Sequence, residues 1–194
     1  MGRHEEGSRR KDRRAVRTHR AIQDAYRTLV VRDGLDNVTI SAVAREADID
    51  RKTFYLHYAS LDEVAKERRS AMIERIVGTL VEGNGPDGVN VNLRAVATEL
   101  ASILQEDPEF FRCVLGKISV DSLVEALYSP VRSAIVENIP ETVAADQLGA
   151  DYLIRFMLSG TIAVALQWFL TDSDTPINEI ADHIQAITSR IHLT

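Results

Sequence analysis

Residues 39–58 read TISAVAREADIDRKTFYLHY, a stretch that holds two short helical patterns joined by a tight turn. The first helix is predicted to begin at Thr39, whose hydroxyl can accept a hydrogen bond from a free backbone N–H. Asp48 stands where the chain must turn, and Asp adopts the left-handed backbone region more readily than most residues. Asp50 can cap a second helix over about residues 51–57, since a negative charge suits a helix N-terminus. The stretch therefore predicts a helix-turn-helix.

The second helix has one apolar face and one polar face. Phe54 and Tyr58 are four residues apart and lie on the same face, which we expect to be buried. The other face carries hydroxyl, imidazole and cationic groups, the kinds that contact base edges and phosphates. These residues are Arg51, Lys52, Thr53, Tyr55 and His57. Because the second helix of a helix-turn-helix lies in the major groove, the pattern favours sequence-specific binding of double-stranded DNA.

A wider set of residues repeats the signature of a known family. In and after the helix-turn-helix they are Thr39, Ile40, Val43, Ala44, Ala47, Ile49, Thr53, Phe54, Tyr55, His57, Tyr58, Leu61, Asp62, Glu63 and Val64. Upstream they are Ile22, Ala25, Leu29 and Gly34. Over residues 18–64 the chain thus resembles the N-terminal part of TetR-family transcriptional regulators. It departs from the family pattern at Asp48, where Gly is usual, and at Lys52, where Gly is common.

The TetR resemblance implies roles for single residues. It implies that Tyr55 and His57 contact DNA phosphates. The residues that it places at or near the DNA surface are Thr39, Ser41, Arg51, Lys52 and Thr53. A Tyr or His on a short helix is more often a packing or surface residue, so these roles depend on the family signature and not on residue type.

Charge is distributed unevenly along the chain. The whole sequence has a net charge of −6, which by itself argues against a nucleic-acid partner. Residues 1–69, however, carry 16 Lys and Arg against 12 Asp and Glu, a net of +4, whereas residues 70–194 carry 7 against 17, a net of −10. A flexible basic arm is predicted over residues 1–14, and a solvated disordered tail is its alternative. This charge asymmetry indicates that the N-terminal part binds the phosphates of a nucleic acid.

Several other classes of protein do not fit the sequence. The single Cys113 excludes an internal disulfide framework and suits a reducing cytoplasm. The most apolar stretch, residues 156–170, has 15 residues and is too short for a membrane span, and the first residues lack the apolar core of a secretory signal. The motifs of serine hydrolases, zinc proteases and phosphate-binding loops do not occur. We therefore expect no enzyme, no cofactor, no metal and no membrane partner, in a cytoplasmic protein.

The rest of the chain reads as helical, with a long helix over about residues 13–32 ended by Gly34. Ser60 and Glu63 form a capping box that opens another helix reaching about residue 82. The glycine-rich residues 83–88 are the clearest break, and no strand pattern of useful length is visible. Helices then follow at about residues 93–105, 119–136, 142–170 and 175–192, with a short turn near 109–114.

These patterns predict an all-α fold of two domains. The first is a three-helix helix-turn-helix DNA-binding domain over residues 15–62. The second, over residues 63–194, is a larger helical domain for dimerisation and, by the TetR resemblance, for ligand binding.

The last two helices are predicted to join two subunits. Isoleucines recur at spacings of three and four, the pattern by which helices pack lengthwise, and the preceding helix is apolar nearly all round. Packing on their own chain is the alternative, but the TetR resemblance implies a homodimer. A two-fold dimer also supplies two reading helices about 34–36 Å apart, one turn of DNA. The candidate interface residues are Gly160, Ile177, Ile180, Ile184 and Ile187, and Ile191 continues the series.

The TetR resemblance further implies an apolar cavity for a small-molecule inducer in the C-terminal domain. The candidate lining residues are Phe110, Phe111, Tyr128, Phe156 and Trp168, with Met157 beside them. Aromatic residues at helical spacing are also ordinary core residues. Arg155 lies in an otherwise apolar helix, where it can meet an anionic ligand or pair with Asp151 four residues earlier.

Together these features predict a homodimeric repressor that binds a palindromic operator and is released by a small-molecule inducer. The alternative is a helical protein-interaction or sensor protein without sequence-specific DNA binding. That alternative requires a second helix without exposed cations, whereas Arg51 and Lys52 occur there.

Overall fold

In the residues that the structure describes, the fold is helical apart from one short hairpin. A computed structural model describes residues 2–85, 88–136, 147–171 and 173–188, and it describes their side chains except at 2–12, 81–91, 136, 147 and 188. The chain divides into two compact units, residues 1–69 and residues 70–194, which we name the head and the C-terminal unit. Within the described residues, the predicted all-α class is confirmed.

Among its described residues, the head contains three α-helices, one short 3-10 helix and the start of a fourth α-helix. They are α1 (Gly2–Asp33), a short 3-10 helix (Leu35–Asn37), α2 (Ile40–Glu46), α3 (Arg51–His57) and the first part of α4 (Leu61–Gly78). The bounds of α3 are those predicted. The backbone of α1 is helical from Gly2, so its predicted start near residue 13 is too late; the separate arm over residues 1–14 stays a prediction. Gly34 ends α1 with a φ of 84°, a conformation that glycine adopts without strain.

Each helix of the head contributes apolar side chains to one core. The largest fully buried ones are Ile22, Leu29 and Val30 of α1, Val43 of α2, Phe54 of α3 and Val64 of α4. Since α1 packs on α2 and α2 on α3, this core holds the helix-turn-helix against the long first helix.

A two-stranded hairpin lies within the predicted break. Strands β1 (Val81–Gly85) and β2 (Gly88–Val91) are antiparallel, with Val81 opposite Val91 and Gly85 opposite Gly88. The hairpin corrects the expectation that the chain has no strands. Strands this short, with glycines among them, offer too brief an alternation of apolar and polar residues for a strand to be recognised. The same segment ends α4 at Gly78, before the predicted end near residue 82.

In the described part of the chain after the hairpin there are five helices: α5 (Leu93–Glu106), α6 (Pro108–Leu115), α7 (Val120–Val136), α8 (Gln147–Leu170) and α9 (Ile177–Thr188). The predicted turn near residues 109–114 is the helix α6, which Asp107 caps by accepting a hydrogen bond from the Phe110 N–H. Pro130 stands inside α7, which continues past it. The predicted ends of the last two helices, at residues 142–146 and 189–192, lie outside the described residues.

Helix α8 is the central element of the C-terminal unit, since it packs against α5, α7 and α9. Its buried side chains include Ile154, Leu158 and Ile162. The span Leu148–Leu170, with a mean hydropathy of 1.6, is long and apolar enough to cross a membrane by length and composition alone. The apolar stretch predicted from the sequence, residues 156–170, was therefore too short. Packing on three neighbouring helices is the ordinary situation of such a helix in the core of a domain.

Candidate nucleic-acid interface

Side-chain caps set the start of both helices in the helix-turn-helix. The Thr39 hydroxyl accepts a hydrogen bond from the Ala42 N–H at 3.2 Å, and the Asp50 carboxylate accepts one from the Thr53 N–H at 2.6 Å. Both predicted caps are therefore confirmed. The hydrogen bond from the Thr53 backbone lowers the pKa of Asp50, so the carboxylate stays charged at the positive end of the helix dipole.

The turn between α2 and α3 depends on one left-handed residue. Asp48 has a φ of 53°, as predicted from its tolerance of this region. Its N–H donates to the Arg45 carbonyl at 3.2 Å, and the Ile49 N–H donates to the Ala44 carbonyl at 2.9 Å. These two bonds close the end of α2 and turn the chain sharply into α3.

Aromatic packing supports α3 from below. Phe54 is fully buried and Tyr58 nearly so, and their ring centroids are 6.1 Å apart, which confirms the predicted buried face. The Tyr55 ring meets Phe54 edge to face at 5.7 Å while about half of its surface, 49%, remains exposed. Aromatic pairs of this geometry hold a short helix in a defined position.

The residues predicted to bind DNA lie on α2, α3 and the Thr39 cap. Arg51, Lys52 and Tyr55 are exposed on α3, and Thr53 and His57 on the same helix are half-buried. Thr39 and Ser41 are exposed at the start of α2. The helix-turn-helix thus brings all seven onto two consecutive short helices, with the three largest polar side chains accessible to solvent.

Leu56 is an exposed residue on α3 to which the sequence patterns assign no role. It is 77% exposed, more than any other large apolar residue of the described chain. Two residues after the buried Phe54, it falls on the opposite side of the helix. A branched apolar side chain there can contact the methyl group of thymine in the major groove. An exposed Leu alone is an unremarkable feature, and its place on α3 is the signal that singles it out.

A hydrogen-bond network joins the end of α3 to the helices on either side. The Tyr58 hydroxyl donates to Glu67 of α4 at 2.7 Å and accepts from the Gln23 amide of α1 at 2.8 Å. The Nε2 atom of His19 lies 2.6 Å from the same hydroxyl and 3.0 Å from the Glu67 carboxylate. Burial, followed by the hydrogen bond to Glu67, raises the pKa of Tyr58, which keeps its proton for donation. Tyr58 is therefore a core residue, as predicted, and also the centre of a polar contact.

Comparison with protein families identifies both parts of the chain. Residues 22–67 match the family described as "Bacterial regulatory proteins, tetR family". Residues 92–190, half of the chain, match the "Transcriptional regulator C-terminal region" of the same group. The chain belongs to the TetR family.

Relatives of known sequence or structure agree with this membership. The chain is 32% identical over 94 residues to an uncharacterized HTH-type transcriptional regulator, YxbF of Bacillus subtilis strain 168, and the match spans 48% of this chain but 24% of that protein. A TetR transcriptional regulator from Streptococcus agalactiae 2603V has the same fold, with a TM-score of 0.59 at 18% identity over 93% of this chain and 98% of that one. NalD of Pseudomonas aeruginosa, the secondary repressor of the MexAB-OprM multidrug efflux pump, has a TM-score of 0.56 at 15% identity, over 91% and 96%.

The C-terminal unit of this TetR-family chain contains a small apolar cavity. Its volume is about 20 Å³ and it is lined by α4, α5, α7 and α8, with Leu80, Val96, Leu127, Met157 and Thr161 among its walls. The lining is aliphatic apart from Thr161 and Met157, and the aromatic lining of an inducer pocket stays a prediction. The described part of the chain has no group of three or more His, Cys, Asp and Glu side chains placed to hold a metal ion.

The five aromatic residues predicted to line a pocket lie elsewhere. Phe110 is buried in α6, and Phe111, Tyr128 and Trp168 pack at the edge of the core. Phe156 is 64% exposed on α8. None of them borders this cavity, because helical spacing identifies apolar faces but not which face meets a void. Met157, predicted to lie beside these aromatic residues, is part of the lining.

An apolar stripe runs along the exposed side of α8. It consists of every fourth residue, Leu148, Tyr152, Phe156, Gly160 and Val164, and all five are exposed. We name it the α8 stripe. Helix α8, which the sequence shows to be apolar nearly all round, is thus buried where it packs on α5, α7 and α9 and exposed along the α8 stripe.

The isoleucines of α9 divide between core and surface. Ile177, Ile180 and Ile184 are half-buried, Ile187 is 65% exposed, and Ile191 lies outside the described residues. The half-buried side chains show that α9 packs partly on its own chain, as the alternative reading of this seam required. The exposed Ile187 leaves part of the seam uncovered.

Arg155 pairs within the C-terminal unit, although not with Asp151. Its guanidinium donates to Glu125 of α7 and lies over the Tyr128 ring, 4.0 Å from the centroid. Asp151 instead accepts a hydrogen bond from Arg132 at 2.8 Å. These contacts tie α7 to α8, so Arg155 has a structural partner without an anionic ligand.

Proposed function

We propose that this TetR-family chain is a homodimeric transcriptional repressor that binds a palindromic operator and is released from it by a small-molecule inducer. The observation that carries the proposal is α3, a capped helix seated on buried aromatic rings with Arg51, Lys52 and Tyr55 exposed. A regulator of this kind works in the cytoplasm, where it meets the chromosome, and uses no catalytic step.

The head supports DNA binding through both charge and rigidity. Its net charge of +4 contrasts with −10 in the C-terminal unit, so the attraction of phosphates falls on the head. The caps, the left-handed turn and the network of Tyr58 restrain α3 before DNA is bound. A helix that is already ordered loses less conformational entropy on binding than a flexible segment does.

The α8 stripe supports pairing of two copies. Large apolar side chains that are exposed together mark interaction surfaces, and Tyr152 and Phe156 are 67% and 64% exposed. Gly160 lies in the same row, and a Cβ atom added there would meet nothing within 4 Å, so the surface is open. A second copy related by a two-fold axis would cover the same stripe on both chains.

The cavity supports control by a ligand. Ile76 near the end of α4, and Leu80 just after it, are part of the lining. The same helix begins at Leu61, shortly after α3, and belongs at that end to the head. A ligand that displaces the last turn of α4 therefore acts on a helix that leads directly into the DNA-reading domain. Coupling of about 1–3 kcal/mol is typical of such control.

Selection of bound duplexes from a random DNA pool tests the proposal. We expect a palindromic consensus whose half-sites are centred about 34–36 Å apart. The absence of any preference among duplexes, at low salt as well as high, would instead support a helical sensor or protein-interaction function.

Variants of α3 then test which residues bind. Lys52→Ala is expected to weaken operator binding about tenfold or more and to reduce the salt dependence by about one phosphate contact. Tyr55→Phe keeps the packing on Phe54 and removes only the hydroxyl, so its loss of affinity reports a phosphate contact. Lys117→Ala, an equal change of charge at an exposed position of the C-terminal unit, is the matched control and should bind normally.

A further inference from the structure

The cavity of the C-terminal unit contains one polar residue whose hydrogen bonding is incomplete. Thr161 of α8 lines the cavity and is 2% exposed. Its hydroxyl has no hydrogen-bond partner among the residues that the structure describes. In a helix, a threonine hydroxyl ordinarily bonds a carbonyl of the preceding turn, as Thr98 and Thr171 do in this chain.

An unpartnered buried hydroxyl is unfavourable for packing alone. Valine has nearly the same shape as threonine and fills the same space without removing a hydroxyl from water. Buried polar groups without a partner are uncommon, and each calls for an explanation such as a function or a bound molecule. The position of Thr161 on the wall of a cavity offers such a molecule a place.

The remaining walls define the chemistry of that molecule. The lining residues other than Thr161 are Ile, Leu, Val and Met, without any charged side chain. An ionic group would lose its hydration there without a counter-charge, so a charged ligand is disfavoured. The apolar body of a ligand can pack against the walls, and one hydroxyl or carbonyl group of the ligand can form a hydrogen bond with the Thr161 hydroxyl.

We infer that Thr161 is the hydrogen-bonding anchor for an uncharged, mainly aliphatic ligand held between α5, α7 and α8. The inference rests on the proposed function, in which the C-terminal unit binds an inducer, and it adds the ligand class and the anchoring residue.

The size of the cavity determines how the ligand enters. A volume of about 20 Å³ holds no more than a single water molecule. The ligand must therefore separate the helices that enclose it. Met157, four residues before Thr161, has a flexible side chain that can move aside, and a slender chain requires less separation than a ring system does. This enlargement is the change that binding imposes on the end of α4.

The test uses octan-1-ol and octanoate as probes of the full chain, by isothermal titration calorimetry. They share an eight-carbon skeleton and differ in charge. We expect octan-1-ol to bind and octanoate to bind at least tenfold more weakly. Thr161→Val should weaken octan-1-ol about three- to tenfold, the effect of one hydrogen bond, whereas Thr161→Ser keeps the hydroxyl and should retain the affinity. Thr98→Val, the same change outside the cavity, is the control.

Thermal unfolding without probe gives a second readout. Thr161→Val should unfold at the same temperature as the wild type or at a higher one, because the unpartnered hydroxyl is removed. Failure of octan-1-ol to bind, equal affinity of the wild type and Thr161→Val, or tighter binding of octanoate would each overturn the inference. Operator binding is measured separately, so a chain that binds DNA and not octan-1-ol fails this inference alone.

Discussion

The head and the C-terminal unit differ in what they leave on their surfaces. The head buries the rings of Phe54 and Tyr58, leaves Tyr55 half exposed and exposes cations on α3. The C-terminal unit exposes apolar side chains along the α8 stripe, and its only buried polar residue among the described ones is Thr161. The head therefore completes its own core and presents charge to a polar partner. The C-terminal unit leaves an apolar surface and an unpartnered buried hydroxyl, which in the proposed function a second copy and a ligand would cover.

The largest effect is expected where the head depends on its core. Phe54→Ala should lower the free energy of unfolding by about 3–5 kcal/mol, because the ring is fully buried and its removal leaves a void. Leu56→Ala, two residues away and 77% exposed, should change stability by less than about 0.5 kcal/mol. Urea denaturation at one fixed protein concentration measures both. Similar losses in the two variants would contradict the division between a buried and an exposed side of α3.

The next effect concerns the surface of the C-terminal unit. Phe156→Glu should raise the dissociation constant of the dimer about a hundredfold, since a charge replaces an exposed aromatic at the centre of the α8 stripe. Gln105→Glu places a carboxylate at an exposed position of α5 and should leave association unchanged. Sedimentation velocity over a range of concentrations distinguishes the two. A Phe156→Glu protein that remains dimeric would move the interface away from the α8 stripe.

The smallest effect is a dependence of head stability on pH. Although burial raises the pKa of Glu67, hydrogen bonds from Tyr58 and then His19 lower it below the ordinary value of 4.5. A lowered pKa means that the contribution to stability is complete above pH 4.5 and is lost as the pH falls through the folded-state value. Glu67→Gln should therefore cost about 1 kcal/mol at pH 7, a modest value because the carboxylate is half exposed, and progressively less in acid.

Glu74→Gln, at an exposed position of the same α4 helix, is the control for this titration. Its difference in stability from the wild type should stay small at every pH. If the difference in stability between Glu67→Gln and the wild type does not shrink as the pH falls, the charge on the Glu67 carboxylate does not stabilise the network.

The features that sequence patterns predicted are those set by neighbouring residues. The Thr39 and Asp50 caps each join residues three apart, and the left-handed conformation of Asp48 involves that residue alone. The bounds of α3 could therefore be derived from neighbouring residues. The Tyr58 network joins residues 39 positions apart, and the cavity is lined by four separate helices. Such contacts depend on how helices meet, which periodicity does not encode. This is why the buried face of α3 could be identified from the sequence and the four-helix lining of the cavity could not.

The length of α3 limits how much information one chain can read. Its 7 residues, at about 1.5 Å each, extend about 10 Å, or about three base-pair steps of about 3.4 Å. Three base pairs recur by chance throughout a genome, which offers about 10⁶–10⁹ competing sites. Reading two such triplets at a fixed separation squares the number of sequences that can be told apart. With a helix this short, the proposed dimer would gain its selectivity among genomic sites by reading two half-sites and not by binding one half-site more tightly.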